Sequence, residues 1–190
     1  MKKVSLLSII IMFLCVYIIH AQGEKSSNKV GGIRAGYHAA TLVLPDNDVD
    51  TTSVLGGFYA GFYRDNKVAS ILSIGTGLEY FQNGTQYSEN SSRVLHTLSV
   101  PVSLKVNLGP VFALGGIGAN FKVSEKLVYN DTNYDLSDDQ KSNWFDAPAF
   151  LGAGVKIWVL TVEARYHWGL VEVNDGYKSR YFQLGAGLSF

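Results

Sequence analysis

Two histidines, His38 and His167, are the residues whose type best suits acid–base work near neutral pH. Joined to a serine and a carboxylate, either would form the hydrolytic triad that a lipid-cleaving enzyme uses. The chain holds no Gly-x-Ser-x-Gly elbow, and Ser99, Ser103 and Ser189 are scattered. No catalytic residue is therefore assigned, and the imidazoles are expected to hydrogen-bond in an interior. A second cluster, Glu125, Asp131, Asp135, Asp138, Asp139 and Asp146, offers carboxylates to a divalent cation or to divalent-bridged lipopolysaccharide. It lacks the Asp-x-Asp-x-Asp-Gly spacing of a calcium loop, so the expected state is a solvated surface stretch with no metal site. The one cysteine, Cys15, lies in the N-terminal apolar run; if that segment is cleaved, the exported chain has no thiol for a disulfide, a nucleophile or a thiolate metal site.

These groups need elements to place them, and the spacing of apolar residues says what the elements are. Over residues 97–106, Leu98, Val100, Val102, Leu104 and Val106 alternate with Thr97, Ser99, Pro101, Ser103 and Lys105. Successive side chains of a strand point to opposite faces, so this stretch has one apolar and one polar face. The same split recurs in Val162, Ala164, Tyr166, Trp168 and Leu170 against Thr161, Glu163, Arg165, His167 and Gly169. It recurs in Phe182, Leu184, Ala186, Leu188 and Phe190 against Gln183, Gly185, Gly187 and Ser189, and in Leu72, Ile74, Leu78 and Tyr80 against Ser73, Gly75, Gly77 and Glu79. A weaker copy sets Ile33, Ala35 and Tyr37 against Arg34, Gly36 and His38. Residues 54–64, 110–122 and 145–157 bring the predicted strands to eight. In the first of these, Phe58 and Phe62 alternate with Tyr59 and Tyr63, which leaves its faces undeclared; a slip of one residue would exchange them. Pro101 cannot donate to a ladder, and a bulge or local break is expected there.

Lys2 and Lys3 precede an apolar run from Val4 to Ile19, followed by His20, Ala21 and Gln22. This is the layout of a cleaved signal peptide over residues 1–21, leaving residues 22–190 as one exported domain. Without Lys2 and Lys3 the 16 basic residues become 14 against 16 acidic ones, a net charge of −2 that argues against nucleic-acid binding. Past Ile19 no stretch is apolar enough for a spanning helix, so a membrane form must be a closed barrel that satisfies its own backbone.

Connection lengths point the same way. Residues 65–67, 107–109 and the region around Trp158 and Val159 read as tight turns, whereas residues 44–53, 83–93, 123–144 and 172–179 read as long polar loops. Transmembrane barrels alternate short periplasmic turns with longer outer loops, which places both termini on the periplasmic side. The expected fold is all-β, an eight-stranded antiparallel up-and-down transmembrane barrel with its apolar faces toward lipid. Eight strands enclose a lumen just filled by side chains, so no open pore is expected. The polar face carries Arg34, Glu79, Lys105, Lys156, Glu163 and Arg165 among repeated glycines. Near balanced in sign, they are expected to pair as a structural interior core. Tyr37, Tyr80, Tyr166, Trp168, Phe182 and Phe190 fall on the lipid-facing register, where interfacial girdles form.

Several of these segments together resemble the PorT-like outer-membrane β-barrel family. They are Gly32-Ile33-Arg34-Ala35-Gly36-Tyr37-His38, Leu78-Glu79-Tyr80-Phe81-Gln82-Asn83-Gly84, Leu98-Ser99-Val100-Pro101-Val102 and Ala164-Arg165-Tyr166-His167-Trp168-Gly169-Leu170. The resemblance covers nearly the whole exported chain and implies a small eight-stranded barrel in the outer membrane. It also implies a terminal Phe190 read by the barrel-assembly machinery, and, at family level, a tie to secretion. The first functional expectation is a non-enzymatic barrel, without cofactor, that is structural or meets partners through its outer loops. A component of a secretion or assembly complex is the alternative. A lipid-modifying enzyme and a soluble lipocalin-like carrier with its apolar face inward come after these.

Overall fold

The structure is a computed structural model that describes residues 29–44, 47–50, 53–88, 91–129, 132–134, 143–174 and 177–190. Among these, eight long antiparallel strands follow one another: β1 (Lys29–Leu44), β3 (Ser53–Lys67), β4 (Leu72–Ser88), β5 (Ser91–Leu108), β6 (Val111–Tyr129), β9 (Pro148–Ile157), β10 (Leu160–Asn174) and β11 (Tyr177–Ser189). Three short strands, β2 (Asn47–Asp50), β7 (Thr132–Tyr134) and β8 (Phe145–Asp146), add to the edges of β1 and β6. Each long strand pairs with its neighbours in sequence, and β11 pairs with β1 from Gly32↔Ser189 to Val43↔Lys178. The sheet therefore closes on itself and has no free long edge.

The alternation read from the sequence sets the two surfaces. Val100, Val102, Leu104, Val162, Leu184 and Leu188 are exposed on the outer wall, while Ser99, Lys105, Glu163, Arg165 and Gln183 are buried in the lumen. A soluble carrier with its apolar face inward is thereby overturned, because β5, β10 and β11, the strands whose alternation is clearest, show their apolar residues outside. Register settles the faces of β3: Gly61 pairs with Glu79, so Tyr59 and Tyr63 point inward while Phe58 and Phe62, 53% and 65% exposed, point out.

Two expectations about local structure change. Among the described residues, the ranges predicted as outer loops are largely strand: β4 runs to Ser88 and β5 starts at Ser91, and β6, β10 and β11 likewise extend into ranges read as loops. Beyond the apolar band both faces of a strand meet water, so the two-residue pattern that marks a strand is absent there. At the other end, residues 65–67 belong to β3, and the turn is residues 68–71, closed by Val68 and Ala69 amides donating to the Leu72 carbonyl. The remaining turns at that end, Gly109-Pro110 and Trp158-Val159, have two residues, and Gly109 and Trp158 take φ of 73° and 58°.

No bulge forms at Pro101. The register with β6 passes through Val100↔Ala119, Pro101↔Gly118 and Val102↔Ile117 without a shift. Only the ladder to β4 is interrupted, between Thr76↔Val102 and Glu79↔Ser99, on the same register. Gly77 makes this tolerable, since a side chain there would press on the Pro101 ring, 3.3 Å from a Cβ. The shift occurs higher, where Val123 is extra between His96↔Ser124 and Thr97↔Lys122.

Candidate functional site

Charged interior side chains sit where the register gives them room. Arg34 is flanked across the ladders by Gly61 and Gly187, Glu163 by Gly185 and Gly154, and Arg165 by Gly152 and Gln183. A Cβ on Gly61 would come within 2.8 Å of Glu79 Cγ, and one on Gly152 within 2.7 Å of Arg165 Cγ. These glycines are present because long side chains from the next strand lie across them.

The sequence placed Arg34, Glu79, Lys105, Glu163 and Arg165 on the polar face, and the structure brings four of the five into one ring. Arg165 Nη2 reaches Glu79 Oε1 at 3.0 Å and its Nε lies 2.9 Å from Glu163 Oε1; Arg34 pairs with Glu79 and, at 3.3 Å, with Glu163. Two guanidinium groups thus share two carboxylates, from β1, β4 and β10, in the middle of the lumen. Arg165 is also stacked between Tyr59 and Phe150, with its Cζ 5.5 and 5.9 Å from the ring centroids. Such a network resists opening, since removing one charge leaves its partner buried and unpaired. The voids beside it are about 10 Å³ each, room for one water at most.

Lys105 is not part of this ring. It lies nearer the turn end, donating to Asp65 Oδ2 at 2.6 Å, with its Nζ 4.5 Å from the Phe112 centroid. Asp65 escapes the sequence pattern because a turn is expected at residues 65–67; carrying the β3 alternation two residues past Tyr63 puts it in the lumen.

Toward the opposite end the lumen is closed by stacked rings. His38 lies 4.7 Å from Phe81 and 4.8 Å from Tyr181, and Tyr181 continues to His167 at 4.2 Å and then to Phe150. Gln183 Nε2 is 3.3 Å from His38 Nδ1. Both imidazoles are thus held in an aromatic column, whereas Ser189 hydrogen-bonds Tyr63 at the other end and Ser103 pairs across to Gly75 and Gly116. Above the column, Ser179 donates to Asp146 at 2.8 Å and Asn120 donates to the Tyr181 hydroxyl at 3.2 Å. Glu125 takes Lys122. Asp131, Asp135, Asp138 and Asp139 lie outside the described residues, and among the described residues no three His, Cys, Asp or Glu side chains are grouped to hold a metal.

On the outer wall, Tyr80 bonds His96 Nδ1 at 2.5 Å beside Phe58, and Phe121, Trp144 and Phe145 form a second aromatic group near the same height. At the turn end Trp158 and Phe190 are 89% and 82% exposed, and the Phe190 amide donates to the Gly31 carbonyl, tying the last residue to the first strand. Aromatics therefore bracket an apolar band at two heights, the pattern of a wall that crosses a bilayer.

Among solved structures the chain is similar to Ail, the attachment invasion locus protein of Yersinia pestis. The identity is 15% over 86% of this chain and 99% of that one, with a TM-score of 0.53. It is also similar to Neisserial surface protein A, at 13% identity over 88% of this chain and 100% of that one, with a TM-score of 0.55. At these identities the likeness is one of fold. No curated protein matches the sequence. Residues 21–175 match the family described as outer membrane protein beta-barrel domain. A closed antiparallel barrel, an apolar outer band and a family match over most of the chain converge: this protein belongs to that family of outer-membrane β-barrels.

Proposed function

We propose that the protein is a non-enzymatic outer-membrane barrel whose role is structural or lies in surface interaction, carried by the strand ends that rise beyond the apolar band. The observation that supports this most directly is the lumen, blocked at mid-height by the Arg34–Glu79–Arg165–Glu163 ring and again by the histidine–tyrosine column. With the centre sealed, the parts left to meet other molecules are the ends. The solved structures it resembles include Ail, the attachment invasion locus protein, also seen in complex with the heparin analogue sucrose octasulfate, and Neisserial surface protein A. Tags inserted at 89/90 should be detected on intact cells and tags at 69/70 only after permeabilisation, while the refolded protein should leave a planar bilayer non-conducting. Steady conductance, or the reverse tag pattern, overturns the reading.

The same reading takes residues 1–21 as a removed signal peptide, so the mature protein should start at Gln22 on N-terminal sequencing. It takes Phe190 as a signal to the barrel-assembly machinery. The PorT-like motifs around Pro101 and Arg165 favour a second role, as a component of a secretion complex. Stable co-purification with other envelope proteins through the periplasmic turns would support that role over a free-standing barrel.

A further inference from the structure

Below the ion ring the lumen widens into a cavity of about 210 Å³ that opens at the periplasmic end, its lining including Tyr63, Asp65, Lys67, Ser73, Lys105 and Lys156. Asp65 is its one carboxylate, and Lys105 takes it at 2.6 Å. Lys67 and Lys156 make no ion pair among the described residues, so the cavity carries two uncompensated positive charges. They come from β3 and β9, which stand four strands apart in a ring of eight, on opposite walls. A tilted eight-strand ring is about 16 Å across. A lysine stem reaches roughly 6 Å, so both ammonium groups can approach one anion at the axis. Hydroxyl groups of Ser73 and Thr161, each beside one of the two lysines in the ladders, supply further donors.

Two lysines on opposite walls of an open cavity, with donors beside them and a half-buried ion pair as floor, do not serve barrel packing. Two like charges repel, and their placement is favourable when an anion sits between them. We propose that this cavity is a binding site for a compact oxyanion, a phosphate group that is either free or carried on the headgroup of a lipid of the inner leaflet. It would be clamped by Lys67 and Lys156 and hydrogen-bonded by Ser73 and Thr161. Lys105 stays with Asp65 and shapes the floor.

The test uses the mature protein refolded in maltoside micelles, with inorganic phosphate titrated while backbone amide shifts are followed by NMR. Saturable shifts are expected around residues 67–73 and 156–161. K67Q and K156Q should each weaken binding about tenfold, and the double variant should abolish it. K122Q, at the other end of the barrel, should leave binding unchanged. Migration of unboiled samples on a denaturing gel verifies that each variant is folded. In phosphatidylglycerol nanodiscs, a lipid source gives the same shifts without added phosphate and blocks the titration, whereas a free-anion source leaves the titration as it was in micelles. Either result supports the site. Absence of saturable shifts in both settings, or shifts that persist in the folded double variant, overturns it.

Discussion

Glu79 is the centre of the ion ring, because both Arg34 and Arg165 address its Oε1 while its own flanks across the ladders are Gly61 and Ser99. Replacing it with alanine leaves two guanidinium groups to share Glu163, and the loss expected for an unpaired buried charge is about 3–5 kcal/mol. Urea unfolding in phospholipid vesicles, followed by tryptophan fluorescence, measures this; an E79A midpoint equal to wild type would mean that the ring does not hold the barrel. A companion prediction concerns space instead of charge. Gly61→Ala puts a methyl group 2.4 Å from the Leu78 carbonyl oxygen and 2.8 Å from both Cα and Cγ of Glu79, so the β4 backbone must give way and carry Glu79 with it. A cost of about 1–3 kcal/mol is expected, typical of overpacking.

At the scale of the strand, the outer face is the part that lipid reads. Leu184 lies midway along β11 between Leu188 and Phe182 and is 46% exposed. Leu184→Arg should cost about 2–4 kcal/mol in a vesicle-based unfolding assay, the penalty for a charge at bilayer midplane. The upper parts of the hairpins lie outside that constraint. Removing residues 86–91 and rejoining the strands should leave vesicle insertion and the gel shift of the unboiled form intact, since the β4–β5 ladder continues from Thr85↔Arg93 downward. The difference between these zones also explains what the sequence made legible. Within the band, one polar lumen and one lipid face impose a period of two, so His38, Glu79, Glu163 and Arg165 could be assigned inward from alternation alone. Beyond the band, where that contrast vanishes, strand read as loop. In β3 both faces are aromatic, and only the Gly61↔Glu79 pairing separates Tyr59 from Phe58. The ring of four charges was foreseeable as a face but not as a geometry: alternation says which side a residue takes, and register alone says that Arg34 and Glu79 meet over Gly61.

For the whole molecule, the ends of the chain matter as much as the wall. Phe190 exposes its ring at the turn-end rim and packs nothing in the lumen. Phe190→Ala should therefore lower the amount of folded protein delivered to the outer membrane in cells while leaving refolding yield in detergent close to wild type. Equal losses in both assays would make Phe190 a packing residue and not an assembly signal. The β11–β1 seam carries a further consequence. It joins residues 145 apart in sequence, as in the contact of Gln183 with His38, and it is the last seam the chain can close. Until then the growing sheet has two bare edges, which hydrocarbon does not tolerate and which other strands can pair with. Closing the barrel is thus a ring closure of very long span, whose entropy is recovered only when the final strand docks. A chain lacking β11 is left with the β1 and β10 edges bare, so the wall is expected to form as a whole or not at all.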